Sequence, residues 1–298
     1  MRFNMEYCVF DAHCDTLCKM TDEGANFYEN SCEVDLKRMQ KYKSYTQVMA
    51  CYIAPEYRKN ARRRTIELID TYHKSAKIAD KGNVKTILSI EGGEGIKTIA
   101  DLEKYHSLGV RMAALTWNKS NHIAGGAHER DANRGLTEFG RKVVKRMNEI
   151  NMLIDVSHLN DRSFYDVAEI SGLPVVASHS NSRAVCSHIR NLTDDMFKII
   201  VNTGGCAGIN LYPMFLTKTH HAVIDDAVRH IEHFMELSGE NNIGIGADFD
   251  GVDGHLPDGI SGCGDLYKLF DRLLQLGYTE EQVGKISHKN FERLFESR

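Results

Sequence analysis

The sequence predicts an α/β fold, a (β/α)8 TIM barrel of the metal-dependent hydrolase type, and three observations point to it. Eight short apolar runs recur along the 298 residues, stretches of helical period separate several of them, and four of the runs end in metal-ligating side chains. Carboxylates and imidazoles gathered from the ends of different strands are how such a barrel assembles a site at its C-terminal face. An open doubly wound sheet is the competing arrangement.

The runs fall at 7–15, 47–54, 85–92, 110–117, 152–158, 174–179, 206–212 and 243–248, each bounded by turn or site residues. Between them, 62–77, 137–150, 161–170, 194–202 and 225–237 carry the 3.6-residue repeat of amphipathic helices. Thr137, Asn160 and Thr193 stand where a side-chain oxygen can cap a helix whose first N–H groups are unpaired. Those caps follow the runs closely, so the loops between should be short and hold strand-end residues nearly rigid. Segment 253–264 is Gly-rich and aperiodic and reads as a loop over the barrel mouth, whereas 280–295 reads as a pair of helices closing the bottom or side.

Size fits one unit, 1–298, since barrels of roughly 250 residues form single domains. With 42% hydrophobic and 26% charged residues the chain can bury a large core, which argues against disorder. A formal net charge of -4 gives no basic surface for nucleic acid, and the RKNARRR cluster at 58–64 reads as the solvated start of a helix. The eight cysteines form no CxxC pair and are expected to be reduced. Neither a signal-peptide core nor a run of about 20 apolar residues is present, so the expected location is cytoplasmic, with no membrane association.

His13 and Asp15 form an HxD at the end of the first run, where alternation sends both to one side and Cys14 to the other. Glu91 ends the core run ILSI and precedes two glycines; an acid there is costly unless paired or metal-bound, and a carboxylate can bridge two cations. His158 and His179 close the fifth and sixth runs in the same way, and neutral imidazoles suit a transition metal. Asp248 ends the eighth run, where it can accept a proton from water or hold a substrate ammonium; Asp250 two residues on serves either the following loop or the substrate. Arg190 is placed either to grip a substrate carboxylate with its fork or to pair with Asp194 or Asp195. The remaining histidines, His230 and His233 among them, read as surface residues.

Taken in order, DAHCD, SIEGGE, LTWN, IDVSH, ASHSNSRAV, IRNLTDD and GADFDGV resemble the membrane dipeptidase (renal dipeptidase) family of zinc metallopeptidases. The likeness runs from residue 10 to about 255, and KNFERLF resembles the family's C-terminal end. The resemblance implies a barrel with two zinc ions that cleaves dipeptides, often those with a C-terminal D-residue, and a homodimer. One zinc would take His13 and Asp15, the other His158 and His179, with Glu91 bridging; Asp248 would be the catalytic acid/base and Arg190 the anchor of the substrate carboxylate. The sequence departs at Leu115-Thr116-Trp117-Asn118, where the family has a histidine after Leu-Thr. Trp117 can donate one hydrogen bond and Asn118 or His122 another, which opens two alternatives: a barrel amidohydrolase for another amide, lactam or lactone, or a weakly active or non-catalytic homologue.

Overall fold

The computed structural model describes residues 5–77 and 82–296. Eight parallel strands close in chain order: β1 (Met5–Cys14), β2 (Tyr42–Tyr52), β3 (Val84–Glu91), β4 (Val110–Ala114), β5 (Leu153–Asp155), β6 (Val175–Ala177), β7 (Cys206–Ile209) and β8 (Ile243–Ile245), with β8 back on β1. Every expected run overlaps one of these strands, and β1, β2 and β3 begin before their runs do. Helices Ala61–Thr71, Ile99–Ser107, Glu138–Glu149, Asp161–Ile170, Asp194–Asn202 and Ile224–Glu236 occupy the crossovers from β2 onward, the connection that parallel neighbours require, and Tyr267–Gln275 follows β8. The side chains of Thr137, Asn160 and Thr193 accept from the backbone N–H of Gly140, Ser163 and Met196, so those three caps form, but only the loop before Asn160 is short; those before Thr137 and Thr193 run from 115 and 178.

Two apolar layers result from the alternation along each strand. Phe10, Val48, Met112, Leu153, Val176 and Cys206 meet inside the barrel, where Phe291, Leu294 and Phe295 close its lower end. The closure is tight at β8: a Cβ on Gly244 would lie 2.3 Å from the Phe291 ring. Outside the strands, Val9, Tyr45, Met49, Ile90 and Ile154 share a larger cluster with Val143, Met147, Phe164 and Phe197 of the helices.

Several expectations change. The last segment is one helical run, Glu280–Gly284 continuing through a π turn (Lys285–Lys289) into Asn290–Phe295, because nothing between the pieces breaks the helix. Strands β5, β6 and β8 stop short, so that His158, His179 and Asp248 lie two or three residues past them. Only part of 58–64 is solvated: Arg64 is buried and pairs with Asp22 at 2.6 Å, and Arg58 reaches Glu94 at 3.3 Å. His230 is fully buried, with Nδ1 accepting from the N–H of Ser182 and Nε2 bonded to the carbonyl of Leu216. All eight cysteines are free thiols. Among the described residues no helix is long and apolar enough to cross a membrane.

Candidate metal centre

The C-terminal ends of β1, β3, β5, β6 and β8 converge on one buried cluster. Against β2 the register of β1 shifts between Asp11 and Cys14, and the Asp11 carboxylate accepts the backbone N–H groups of His13 and Ala247 there. His158 and Asp248 have φ of 67° and 65°, a left-handed conformation uncommon outside glycine, though His and Asp adopt it more readily than most residues. Positive φ turns the chain sharply off the sheet, and strain of this kind concentrates at functional sites. Glu91 Oε1 is the hub: His158 Nε2 lies 2.7 Å away, His179 Nε2 3.5 Å and His13 Nε2 3.8 Å. Around His13 Nε2, Asp15 Oδ2 stands at 3.7 Å and Asp248 Oδ1 at 3.8 Å.

These groups fit divalent cations. Three overlapping sets have ligand atoms within 4.8 Å of one another: His13, Asp15 and Glu91; Glu91, His158 and His179; His13, His179 and Asp248. His158 Nδ1 faces Asn118 Oδ1 at 2.8 Å, which fixes the ring with a proton on Nδ1 and a lone pair on Nε2. His13 Nε2 and Asp15 Oδ1 are buried with no hydrogen-bond partner among the described residues. Burial and the Arg190 and His13 charges hold His158 and His179 well below the ordinary histidine range, so both are neutral ligands. Burial also drives Glu91 well above the ordinary carboxylate range, helped by Asp15. For His13, burial disfavours the charged ring, yet Glu91, Asp15 and Asp248 hold it up to about 10. Buried carboxylates thus keep a proton on a neighbouring imidazole, the place a metal cation would neutralise far better.

The other expected site residues sit around this cluster in different ways. Asp248 Oδ2 accepts from Asn210 Nδ2 at 2.8 Å, which leaves Oδ1 facing His13. Arg190 is buried, donates from Nη2 to the carbonyl of His179 at 3.4 Å and lies 5.5 Å over the Phe215 ring. Its Nε has no partner among the described residues, and no ion pair to Asp194 or Asp195 forms. Trp117 is half-buried between Tyr52 and His158, with centroids 5.4 and 6.1 Å apart. Asn118 serves His158, while His122 turns away to the carbonyl of Ile96 at 2.7 Å. Asp250 accepts from Thr16 Oγ1 at 2.5 Å and from the N–H of Glu33 at 2.9 Å, so it ties the loops after β1 and β8 together.

Sequence reasoning missed Asn210, Tyr52, Gly251 and the pair Asp155 and Ser178. Gly251 carries no chemistry, yet a Cβ there would lie 2.3 Å from Asp15 Oδ2 and 2.5 Å from Asp248 Oδ1. The signal for Asp155 and Ser178 was present in IDVSH and VVASH, where an acid stands three residues before His158 and a hydroxyl directly before His179 at the ends of apolar runs.

A family model described as membrane dipeptidase, peptidase family M19, matches residues 2–297. The chain belongs to that family. Membership in peptidase family M19 makes it a metal-dependent dipeptidase. An uncharacterised dipeptidase of Schizosaccharomyces pombe is 30% identical over 308 aligned positions, which cover 90% of this chain and 73% of that protein. An uncharacterised protein of Klebsiella pneumoniae is 33% identical over 221 residues, 71% of this chain and 81% of its own length. Among solved structures, a metallopeptidase from Rhodobacter sphaeroides bound to a phosphinate mimic of L-Ala-D-Ala superposes with a TM-score of 0.88 at 26% identity, covering 97% of this chain and 98% of that one. Dipeptidase AC, a metallopeptidase of family M19, gives 0.86 at 27% identity, with 97% of each chain covered.

Proposed function

We propose that the protein hydrolyses the amide bond of dipeptides, including those with a C-terminal D-residue, at a centre of two zinc ions bridged by Glu91. The observation that carries this reading is the overlap of the ligand sets: Glu91 belongs both to the group with His13 and Asp15 and to the group with His158 and His179. When bound, the ions supply a water of lowered pKa and polarise the scissile carbonyl. Asp248 takes the proton on Oδ1, since Oδ2 is held by Asn210, and passes it to the leaving amine nitrogen. Burial raises the Asp248 carboxyl above its usual range, which suits a group that both accepts and returns a proton.

Arg190 supports the assignment of substrate size. Its Nε is buried and unpartnered among the described residues, so a substrate carboxylate close to the metals would pair with the guanidinium fork. Such a pairing sets the scissile bond one residue from the C-terminal carboxylate, as in a dipeptide. The phosphinate mimic of L-Ala-D-Ala bound to the Rhodobacter sphaeroides protein is in keeping with that size and with D-stereochemistry. Trp117 forms one wall of the substrate site beside Tyr52. A homodimer belongs to the same reading, and sedimentation of the purified chain tests it.

The test is a panel of L,L and L,D dipeptides, N-acylated and C-amidated controls, lactams and lactones, offered to the zinc-loaded protein. Turnover of free dipeptides with loss of activity on C-amidation is the expected pattern. Turnover confined to lactams or lactones would replace the dipeptidase reading with a different amidohydrolase.

A further inference from the structure

The two histidines of the second ligand group are held in unlike ways. His158 Nδ1 meets a neutral amide oxygen, Asn118 Oδ1, at 2.8 Å. His179 Nδ1 meets Ser178 Oγ at 2.7 Å, and Ser178 Oγ in turn donates to Asp155 Oδ2 at 2.5 Å. Asp155 is 2% exposed and ends β5, the strand that carries His158 in its following loop. Its other oxygen accepts the N–H groups of Ser157 and Ser178 at 2.9 and 3.0 Å. Among the described residues no lysine, arginine or histidine lies within ion-pair distance of it, and the Arg190 guanidinium feels its charge only from further off.

We propose that Asp155 is a positioning residue for the metal centre, acting through Ser178 to fix the tautomer and orientation of His179. This rests on the proposed metal centre and adds to it. A hydroxyl has one proton. Because Asp155 is an acceptor only, Ser178 must spend that proton on Asp155 and present a lone pair to His179 Nδ1. The ring then carries its proton on Nδ1 and directs the Nε2 lone pair toward Glu91 Oε1 and His158 Nε2, 3.5 and 2.9 Å away. With an amide at position 155 the order can reverse: the amide donates to Ser178, Ser178 donates to Nδ1, and the proton moves to Nε2, where it blocks metal binding. The same logic makes an aspartate to asparagine change behind a catalytic histidine so costly.

The experiment compares wild type, Asp155→Asn, Ser178→Ala and Ser178→Thr. Metal-free protein is titrated with Zn2+ against a chromophoric chelator, and the histidine tautomers are read from long-range 15N–1H spectra of the metal-free form. In Asp155→Asn one of two equivalents should bind about 10–100-fold more weakly while the other stays within about twofold. One histidine should move from the Nδ1–H to the Nε2–H form. Ser178→Ala should fall between that variant and wild type, and Ser178→Thr, which keeps the hydroxyl, should bind as wild type does. Asp155→Asn that holds both equivalents with wild-type affinity and unchanged tautomers overturns the proposal. So does equal weakening of both sites together with a lower melting temperature of the metal-free protein, since that marks a general structural role. Wild type that binds a single equivalent would refute the two-ion reading and still leave the variants comparable at His179.

Discussion

Gly251→Ala places a methyl group between the two carboxylates that the account needs most. The added Cβ would lie 2.3 Å from Asp15 Oδ2 and 2.5 Å from Asp248 Oδ1. Ordinary contact begins at 3.4 Å, so one or both carboxylates must retreat by 3.4 − 2.3, about 1 Å. Asp248 is pinned by Asn210 through Oδ2, so Asp15, which makes no side-chain cap bond to the helix it precedes, must swing away from its place beside His13. A misplacement of about 1 Å at reacting groups costs on the order of 10²-fold in rate, whereas overpacking costs about 1–3 kcal/mol in stability. The assay is kcat/KM for a dipeptide alongside zinc content and thermal unfolding, with Gly172→Ala as control, since a Cβ at Gly172 meets nothing within 4 Å. A Gly251→Ala enzyme within threefold of wild type, folded and fully loaded, would refute the placement of Asp15 and Asp248 around the reacting atoms.

Three further perturbations separate the roles. Glu91→Gln should weaken both equivalents of zinc together, because Oε1 faces all three histidines, while Asp248→Asn should keep both and lower kcat by about 10²–10⁴-fold; two tightly held equivalents in Glu91→Gln would rule out bridging. Trp117→His, measured by kcat on L,D dipeptides, should raise the rate by about 10²-fold if a donor at that wall is what the site lacks, and an unchanged rate would show that another group already polarises the carbonyl. Burial lowers His230 from 6.5 to about 4, so between those values the unfolded chain binds more protons and stability falls as pH falls. The slope from this one residue approaches 1.4 kcal/mol per pH unit. Urea unfolding of metal-free His230→Gln should show a flatter slope from pH 6.5 to 4, and an unaltered slope would remove His230 as its source.

The barrel was legible because buried parallel strands write themselves as apolar runs and crossovers as amphipathic repeats. Cys14 and Glu91 end their strands within one residue of the expected points, and the caps at Thr137, Asn160 and Thr193 follow from unpaired N–H groups alone. The residues that the structure draws around Glu91 could be named because each is polar at the end of an apolar run. What their spacing could not convey was direction. His158 and Asp248 leave the sheet through left-handed turns, so strand alternation does not govern where they or Asp250 point. Asn118 and Asp250 read as possible substrate contacts, but their oxygens are taken by His158 and by Thr16 with Glu33, partners distant in the chain. His230 reads as a surface residue on an exposed helix, but Ser182 and Leu216, brought across it from earlier in the chain, bond both ring nitrogens of the buried side chain. Gly251 and Asn210 carry no pattern at all in one sequence; their importance lies in what surrounds them.

The most direct measurement is a zinc titration of metal-free protein, followed by hydrolysis of L-Ala-D-Ala at each point of the titration. The account predicts two equivalents bound per chain, with turnover appearing as the centre around Glu91 fills and vanishing in Asp248→Asn at the same zinc content. Dipeptide turnover that is independent of added metal, or a fully loaded protein that leaves every dipeptide intact, would contradict it.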